Sequence, residues 1–204
     1  MSPVVATTEL WIAVGVLGAL LIAGGAGMFL LLAMGRLCLD LGWGRSVHAL
    51  GPIVIRIAAR RDLVFEIISA PYTGRAPRGS GIEVVARGDA LVVAAHHTKL
   101  HFYTARTVEV VEFEPPSRVA FRHITGPVPY AVEQFTLEAS EGETEIHYSG
   151  EVGIDFFVLG RVAARYWVRP QWERTVRQHL EDLKDRAEQR AAAQRSREQR
   201  ETAR

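Results

Sequence analysis

The clearest pattern in this 204-residue chain lies in residues 157–190, FVLGRVAARYWVRPQWERTVRQHLEDLKDRAEQR. Its apolar residues recur at steps of three or four, the spacing of one face of an α-helix: Trp172, Val176, Leu180, Leu183 and Ala187. The residues between them are mostly charged or amides, so they favour water. A helix with one apolar stripe packs that stripe against another element. We therefore expect a long C-terminal helix laid across the rest of the domain, kinked or divided into two helices at Pro170.

The partner of this helix is expected to be a β-sheet, because strand-like segments and turn residues alternate through the preceding chain. A short helical pattern covers residues 61–69. The strand-like patterns cover residues 51–58, 81–87, 91–99, 104–113, 119–124, 130–139 and 144–154. This order predicts an α+β fold in which a curved antiparallel sheet of about six or seven strands wraps around the long C-terminal helix.

An apolar stretch without charged residues, LWIAVGVLGALLIAGGAGMFLLLAMG at residues 10–35, precedes this domain. A bilayer core needs about 20 apolar residues in a helix, so the stretch is long enough to cross it. It is longer than the apolar part of a signal peptide, about 7–15 residues, and no Lys or Arg precedes it. A buried helix of a soluble protein is the alternative. The glycines inside the stretch are tolerated more readily in a membrane helix.

The charges beside this stretch predict its orientation. Glu9 is the only charged side chain before it, whereas Arg36, Arg45 and Arg56 follow it. Positive residues stay on the cytoplasmic side, so we expect a single-pass protein of the cell membrane with its N-terminus outside. The predicted organisation is an extracytoplasmic N-terminus (1–9), a transmembrane helix (10–35), a juxtamembrane linker (36–50), a cytoplasmic domain (51–190) and a polar, disordered tail (191–204).

Composition excludes several classes of site. The formal net charge of +1 gives no general attraction to nucleic acid. The single cysteine, Cys38, excludes an intramolecular disulfide and a cysteine zinc cluster. The sequence contains no phosphate-binding loop, GxGxxG or Ser-His-Asp signature, so no cofactor is expected. It carries no signal for an oligomeric state.

Three nearby histidines, His96, His97 and His101, suggest a metal site, but their spacing argues against one. His96 and His97 point to opposite sides of a strand. His97 and His101 would lie about 13 Å apart along an extended strand, too far for ligand bonds of about 2.1 Å to a single ion. We therefore expect no metal, unless the chain bends sharply at Leu100.

Four segments in this order carry a family resemblance: IVIRIAARRDLVFEII, TVEVVEFEPPSRVAFR, FTLEASEGETEIHYSGEV and VRQHLEDLKDRAEQR. From about Ile53 to Arg190 the chain resembles the START-like superfamily, also called SRPBCC or polyketide cyclase-like, which has the helix-grip fold. The resemblance implies a deep cavity between the sheet and the C-terminal helix for hydrophobic molecules such as lipids, sterols or polyketides. It does not imply one activity, because members include transfer proteins, cyclases and sensors.

Strand alternation predicts which side chains face that cavity. Tyr148 shares a strand face with the apolar residues Ile146 and Val152, so its side chain should point inward. By the same alternation, Glu133 should point inward with Leu137, and His123 with Val119. We expect the cavity to be lined by His97, Phe121, His123, Glu133, Phe135, Tyr148, Trp172 and Val176, with Trp167 in the core beneath the same helix. A binding pocket of this class has a few polar groups among apolar ones.

The roles of these polar groups stay open at this stage. His123 and Tyr148 could be hydrogen-bonded core residues, with Glu133 near a strand end in water. They could instead orient a ligand, or His123, Glu133 and Tyr148 could serve as catalytic acid and base. The first functional hypothesis is a membrane-anchored module that binds a hydrophobic small molecule or lipid, without necessarily being an enzyme. The alternatives are an enzyme of the aromatase/cyclase kind and a structural domain whose cavity is filled.

Overall fold

A computed structural model describes residues 3–74, 81–99 and 103–202, with side chains at Glu9 and from Trp11 onward. The helices are α1 (Pro3–Ala33), α2 (Arg61–Ser69), α3 (Phe157–Ala163) and α4 (Arg169–Thr202), and a π-helical turn, Ala164–Val168, joins α3 to α4. The strands are β1 (Ser46–Ile57), β2 (Ile82–Arg87), β3 (Leu91–Lys99), β4 (Thr104–Glu114), β5 (Arg118–Thr125), β6 (Tyr130–Ser140) and β7 (Glu143–Ile154).

The seven strands form one curved antiparallel sheet in the order β1-β7-β6-β5-β4-β3-β2. Strands β2 to β7 pair with their sequence neighbours, and β1 pairs with β7. Helices α2 and α4 lie on one side of the sheet, where their apolar residues join its buried face in a single core. The predicted α+β helix-grip architecture is confirmed.

The first strand begins at Ser46, five residues before the start that the sequence predicted. Its pairing with β7 shifts between Leu50 and Ile53. Gly51 lies in this bulge at φ +79°, and a Cβ there would stand 2.9 Å from the Tyr148 carbonyl oxygen. The glycine therefore marks an irregularity inside the strand and not its beginning. Its N–H donates to Glu173 Oε1 of α4 at 3.2 Å, which ties the helix to the sheet edge.

The apolar stripe of α4 is buried as predicted, from Val176 through Leu180 and Leu183 to Ala187. The helix does not end near Arg190, however. It continues to Thr202, and Ala191 is still buried. Alanine, glutamate and arginine favour helix, and residues 191–202 of the polar tail continue α4.

Pro170 does not break the C-terminal helix. The preceding turn, Ala164–Val168, is π-helical, and α4 follows it directly. Proline lacks the N–H that would bond to the carbonyl four residues earlier, and a π turn is one way in which a helix accommodates such an interruption. Trp167 lies in this turn. It is 53% exposed, so its predicted place in the core is wrong.

Helix α1 is long and apolar enough to cross a membrane, with 23 residues from Trp11 to Ala33 at a mean hydropathy of 2.3. Its end contacts the domain, where Arg106 N donates to the Met34 carbonyl at 3.0 Å. Gly35, at φ +66°, has no room for a side chain because a Cβ would overlap the Arg106 carbonyl oxygen. The connection between α1 and the sheet is therefore a close backbone contact.

The residues after α1 are held by one buried carboxylate. Asp155, 1% exposed, accepts hydrogen bonds from Leu41 N at 2.9 Å and Gly42 N at 3.0 Å. Arg45 Nε also donates to it at 2.7 Å. The Arg45 hydrogen bond is the largest cause that lowers the pKa of Asp155. The predicted linker is therefore fixed against the end of β7 along part of its length.

Candidate functional site

A cluster of polar side chains lies on the face of the sheet that packs against α4. The side chains of His123 and Glu133 are 2% and 12% exposed, and Tyr148 is fully buried. Leu137, Ile146 and Val152 are buried on the same face. Strand alternation thus predicted the direction of all three polar side chains correctly.

Strand register brings these residues together across neighbouring strands. His123 of β5 lies opposite Glu109 of β4, and Glu133 of β6 lies opposite Gly150 of β7. Directly opposed residues on one face of an antiparallel pair are close enough to interact. Glu109 was not among the residues predicted from the sequence. The same alternation, counted from Val111 on β4, would have placed its side chain inward.

Glu133 connects the sheet to the C-terminal helix. Its Oε2 accepts a hydrogen bond from the Tyr148 hydroxyl at 2.5 Å and another from Trp172 Nε1 of α4 at 2.8 Å. One carboxylate oxygen therefore satisfies two buried donors from different elements. Its other oxygen, Oε1, lies 3.8 Å from His123 Nε2.

Glu109 forms the second half of the cluster. Its Oε1 accepts a hydrogen bond from Thr107 Oγ1 at 2.9 Å and lies 3.0 Å from His123 Nε2. His96 Nε2 lies 3.7 Å from its Oε2 and 3.3 Å from the Tyr72 hydroxyl. The His123 ring is in ion-pair contact with Glu109 but is poorly aligned for a hydrogen bond. Within the described part of the chain, its Nδ1 is buried without a hydrogen-bond partner.

The two carboxylates have opposite protonation preferences. Burial by itself would raise the pKa of Glu109, but the adjacent His123 and His96 lower it to about 2. Burial raises the pKa of Glu133, and the hydrogen bonds from Tyr148 and Trp172 only partly oppose this. Burial by itself would lower the pKa of His123, but the Glu109 carboxylate raises it above its ordinary value. The cluster therefore favours an ionised Glu109 beside a charged His123, and a Glu133 that retains its proton more readily.

Aromatic rings surround the cluster. Phe121 contacts Phe135 edge to face, with 5.7 Å between ring centroids, and Phe135 lies 5.3 Å from Tyr148. The His123 ring lies 5.2 Å from Trp172. Phe121, Phe135 and Trp172 are only half-buried, so this part of the inner face is less fully covered than the core around it.

Two pockets formed by the described residues differ from the predicted deep cavity. One pocket, of about 460 Å³, lies on the exposed end of α4. The other, of about 520 Å³, is lined mostly by the opposite face of β4 to β7, including Arg118, Arg122 and Glu151. Between the sheet and α4, the rings of Phe121, Phe135 and Trp172 are partly buried against the core.

Gly150 provides the space for Glu133. A Cβ at this position would lie 2.6 Å from the Val132 carbonyl oxygen and 3.2 Å from Glu133 Cγ. The first of these contacts involves backbone, which cannot rotate away. The glycine is therefore required for close approach of the strands at the cluster.

His97 does not belong to this site. It faces away from α4, its side chain is 39% exposed, and its Nε2 lies 3.8 Å from Glu83. Its neighbour His96 points inward with Val92 and Ala94 instead. His101 lies outside the described residues. Among the residues that are described, no group of three or more His, Cys, Asp or Glu side chains is arranged to hold a metal ion.

The remaining predicted lining residues lie on the inner face. Phe121, Phe135 and Trp172 surround the polar cluster, while Val176 is buried one helical turn beyond Trp172. The side chains that the structure brings together are Tyr72, His96, Glu109, Phe121, His123, Glu133, Phe135, Tyr148 and Trp172.

Residues 53–188 match the family model described as polyketide cyclase / dehydrase and lipid transport, which covers 136 of the 204 residues. The chain belongs to this family. Membership agrees with the resemblance to START-like, polyketide cyclase-like proteins that the sequence analysis indicated. Helix α1 and the linker lie outside the matched region.

Solved structures show the same fold at low sequence identity. TTHA0849 from Thermus thermophilus is 17% identical, with a TM-score of 0.57 over 69% of this chain and 97% of that one. The di-domain ARO/CYC protein BexL, from the BE-7585A biosynthetic pathway, is 21% identical with a TM-score of 0.58 over 71% of this chain. The di-domain ARO/CYC protein StfQ, from the steffimycin pathway, is 14% identical with a TM-score of 0.59 over 72% of this chain.

This family member spans about half the length of the two di-domain proteins, 50% of BexL and 52% of StfQ. Comparison with curated proteins finds no significant match. The structural comparisons therefore establish the helix-grip fold, and the function has to be argued from the site.

Proposed function

We propose that this protein is a membrane-anchored module that binds an apolar small molecule or lipid between its sheet and its C-terminal helix. The proposal rests on the buried cluster of Glu109, His123 and Glu133, which is surrounded by partly buried aromatic rings. A pocket that combines a mostly apolar lining with a few convergent polar groups is typical of small-molecule sites.

A purely structural core has little need of this cluster. Buried ion pairs stabilise a fold weakly, because the loss of water around two charges offsets their attraction. Buried polar groups in such a core also have hydrogen-bond partners, whereas His123 Nδ1 has none among the described residues. A polar atom of a ligand would satisfy it.

The lining indicates the chemistry of the ligand. The rings of Phe121, Phe135 and Trp172 favour a planar or elongated apolar body. His123 and the Glu133–Tyr148 pair would contact one oxygen-bearing group, such as a carbonyl or hydroxyl. Movement of the half-buried rings would open the space that this body needs.

Helix α1 supplies the anchor in this proposal. Its length and hydropathy suit a single membrane crossing. Arg36, Arg45 and Arg56 follow it, so the positive-inside tendency favours a cytoplasmic domain and an N-terminus outside. An anchored domain would meet ligands dissolved in the membrane at high local concentration.

Mass spectrometry of molecules that co-purify with the full-length protein tests the binding proposal. We expect the wild-type protein to retain an apolar molecule, and Glu133→Gln and Phe135→Trp to retain less of it. Glu112→Gln is the matched control, because Glu112 is exposed on the other face of β4. Equal recovery from every variant, or no recovery from repeated preparations, would favour a domain whose interior is filled.

Acid–base catalysis is a second candidate, and the opposite pKa shifts of Glu109 and Glu133 favour it. Two carboxylates with separated pKa values are a recurring arrangement for an acid and a base. In an enzyme, Glu133→Gln would keep the bound molecule but leave it unconverted, so its mass would differ from that of the molecule recovered with wild-type protein. In a simple binding module the two masses would be identical.

A further inference from the structure

A group of exposed apolar side chains covers α3 and the π-helical turn after it. We call these side chains the α3 patch: Phe157, Val158, Leu159, Val162, Tyr166 and Trp167. Leu159 is 79% exposed and Tyr166 is 72% exposed, and every member is at least half exposed. Contiguous apolar surface of this kind marks an interaction site on a soluble domain.

The α3 patch is continuous with the apolar helix α1. The Trp167 ring stacks on the Phe29 ring, with 5.3 Å between centroids and 18° between planes. Phe29 precedes the end of the candidate span, Ala33, by four residues, or about 6 Å along a helix axis. If α1 crosses a membrane, Trp167 therefore lies at the depth of the last turn of the span.

The linker places a second aromatic pair at the same level. Trp43, 62% exposed, contacts Phe157 edge to face with 5.4 Å between ring centroids. Phe156 N and Phe157 N donate to the carbonyls of Trp43 and Gly44, at 2.9 and 3.0 Å. Backbone hydrogen bonds thus fix α3 to the segment that leaves α1, so the two elements share one orientation.

The arginines of α3 and of the π-helical turn suit an anionic lipid surface. Arg161 and Arg165 are exposed and lie one helical turn apart, beside the apolar line formed by Val158, Val162 and Tyr166. A short helix with apolar and aromatic residues on one side and arginines at its border is typical of elements that lie in the membrane interface. Tryptophan and tyrosine are enriched at that level.

We infer that the α3 patch inserts into the anionic membrane surface that α1 crosses, with Arg161 and Arg165 on lipid headgroups. This inference rests on the membrane anchor of the proposed function. It adds a second contact, about 5–10 Å deep at the boundary between headgroups and acyl chains. Trp172 follows the patch on the same continuous helix, so docking would bring the ligand site close to the bilayer.

The test uses the full-length chain in vesicles of phosphatidylcholine and phosphatidylglycerol. Single cysteines replace Val162, Leu21 or Gln189 in a Cys38→Ser background, and each carries an NBD fluorophore. Spin-labelled phosphatidylcholine then quenches those labels that reach the acyl region. Leu21 reports the anchor, Val162 reports the patch, and Gln189 is an exposed control on α4.

We expect quenching at Leu21 and Val162 and none at Gln189. Quenching at Leu21 without quenching at Val162 would overturn the docking inference while keeping the anchor. Absence of quenching at both positions would overturn the anchor, and the docking inference with it. A separate sample of Val162→Cys labelled with pyrene tests whether two copies of the chain meet. Excimer emission from it would overturn the inference, because it would place a second copy of the chain on the patch.

The arginines are tested in the same vesicles. Replacing Arg161 and Arg165 by Gln should reduce quenching at Val162 at least twofold and leave quenching at Leu21 unchanged. It should have little effect in vesicles of phosphatidylcholine alone, because surface charge is then absent. Equal quenching in both lipid mixtures and in both proteins would overturn the role of the headgroups.

Discussion

At the scale of single residues, the polar cluster depends on how closely the strands approach. Glu109, His123 and Glu133 come from three neighbouring strands, and each is positioned by the residue opposite it in the sheet. Removing one charged partner of such a group leaves the other buried without compensation, which costs more than the pair itself contributes.

Glu109→Gln should lower the free energy of unfolding at pH 6 by about 3 kcal/mol, because it leaves the His123 charge without its carboxylate. Thermal unfolding of the detergent-solubilised protein, followed by tryptophan fluorescence, measures this change. Glu112→Gln, on the exposed face of the same strand, should have almost no effect. Equal effects of the two substitutions would mean that the buried pair is unimportant.

Glu109 also makes the stability of the protein depend on pH. Its pKa is lowered from an ordinary value of 4.5 to about 2 in the folded protein. The stabilisation from ionised Glu109 is therefore complete above pH 4.5 and is lost as the pH falls toward 2. The wild-type protein should lose stability faster than Glu109→Gln across this range, and parallel curves for the two proteins would contradict the assignment.

Gly150→Ala should destabilise the protein and disturb Glu133. The added Cβ meets the Val132 backbone at 2.6 Å, and strain of this kind costs about 1–3 kcal/mol. Ser149→Ala, a neighbouring change on the other face of β7, is the control. An unchanged melting temperature and unchanged near-ultraviolet circular dichroism of Gly150→Ala would show that the strands have room to spare.

At the scale of elements, strand and helix periodicity was sufficient to predict most of the fold. Helix α2 and strand β3 begin and end where the sequence indicated, and the inward residues of β5, β6 and β7 follow simple alternation. The start of β1 was predicted at Gly51 instead of Ser46, because glycine indicates a strand end as readily as a bulge. The exposed Trp167 lies in the π-helical turn, which no periodic pattern reveals.

The site was predicted less completely for a related reason. Strand alternation orients a side chain but does not show which strands become neighbours, so the pairing of His123 with Glu109 required the sheet register. The role of Asp155 could not be predicted, because its partners Leu41, Gly42 and Arg45 are more than 100 residues away in sequence. Volume between the sheet and α4 depends on side-chain packing, which the sequence pattern does not specify.

Asp155→Asn should release the linker from the end of β7. The substitution keeps the size of the side chain but removes the charge that Arg45 and two backbone N–H groups contact. Hydrogen–deuterium exchange should become faster at residues 41–45 and remain unchanged in β3. Asp185→Asn, at an exposed position of α4, is the control, and unchanged exchange at residues 41–45 would contradict the role of Asp155.

The pKa of Asp155 gives the direction of the corresponding pH effect. Hydrogen bonding from Arg45 lowers this pKa, so the contribution of Asp155 is present above its unfolded pKa and is lost as the pH falls through the folded value. Exchange at residues 41–45 of the wild-type protein, corrected for the intrinsic pH dependence of exchange, should therefore rise on acidification. Asp155→Asn should not show this rise.

At the scale of the whole molecule, three features form one connected unit. The apolar helix α1, the linker held by Asp155 and the α3 patch are joined by hydrogen bonds and ring contacts. Helix α4 then continues from that region to Trp172 and across the core to Ala191. In the proposed function, the ligand site of this helix-grip domain lies close to the base of the membrane anchor.

Photo-cross-linking of the full-length protein in lipid nanodiscs with diazirine-bearing stearic acid tests this account most directly. We predict adducts on peptides that contain Phe121, Phe135 or Trp172, in addition to adducts on α1. Phe135→Trp should reduce the adducts on these interior peptides several-fold and leave those on α1 unchanged. Adducts confined to α1 and the α3 patch, with none on the inner face of the sheet, would contradict the binding site.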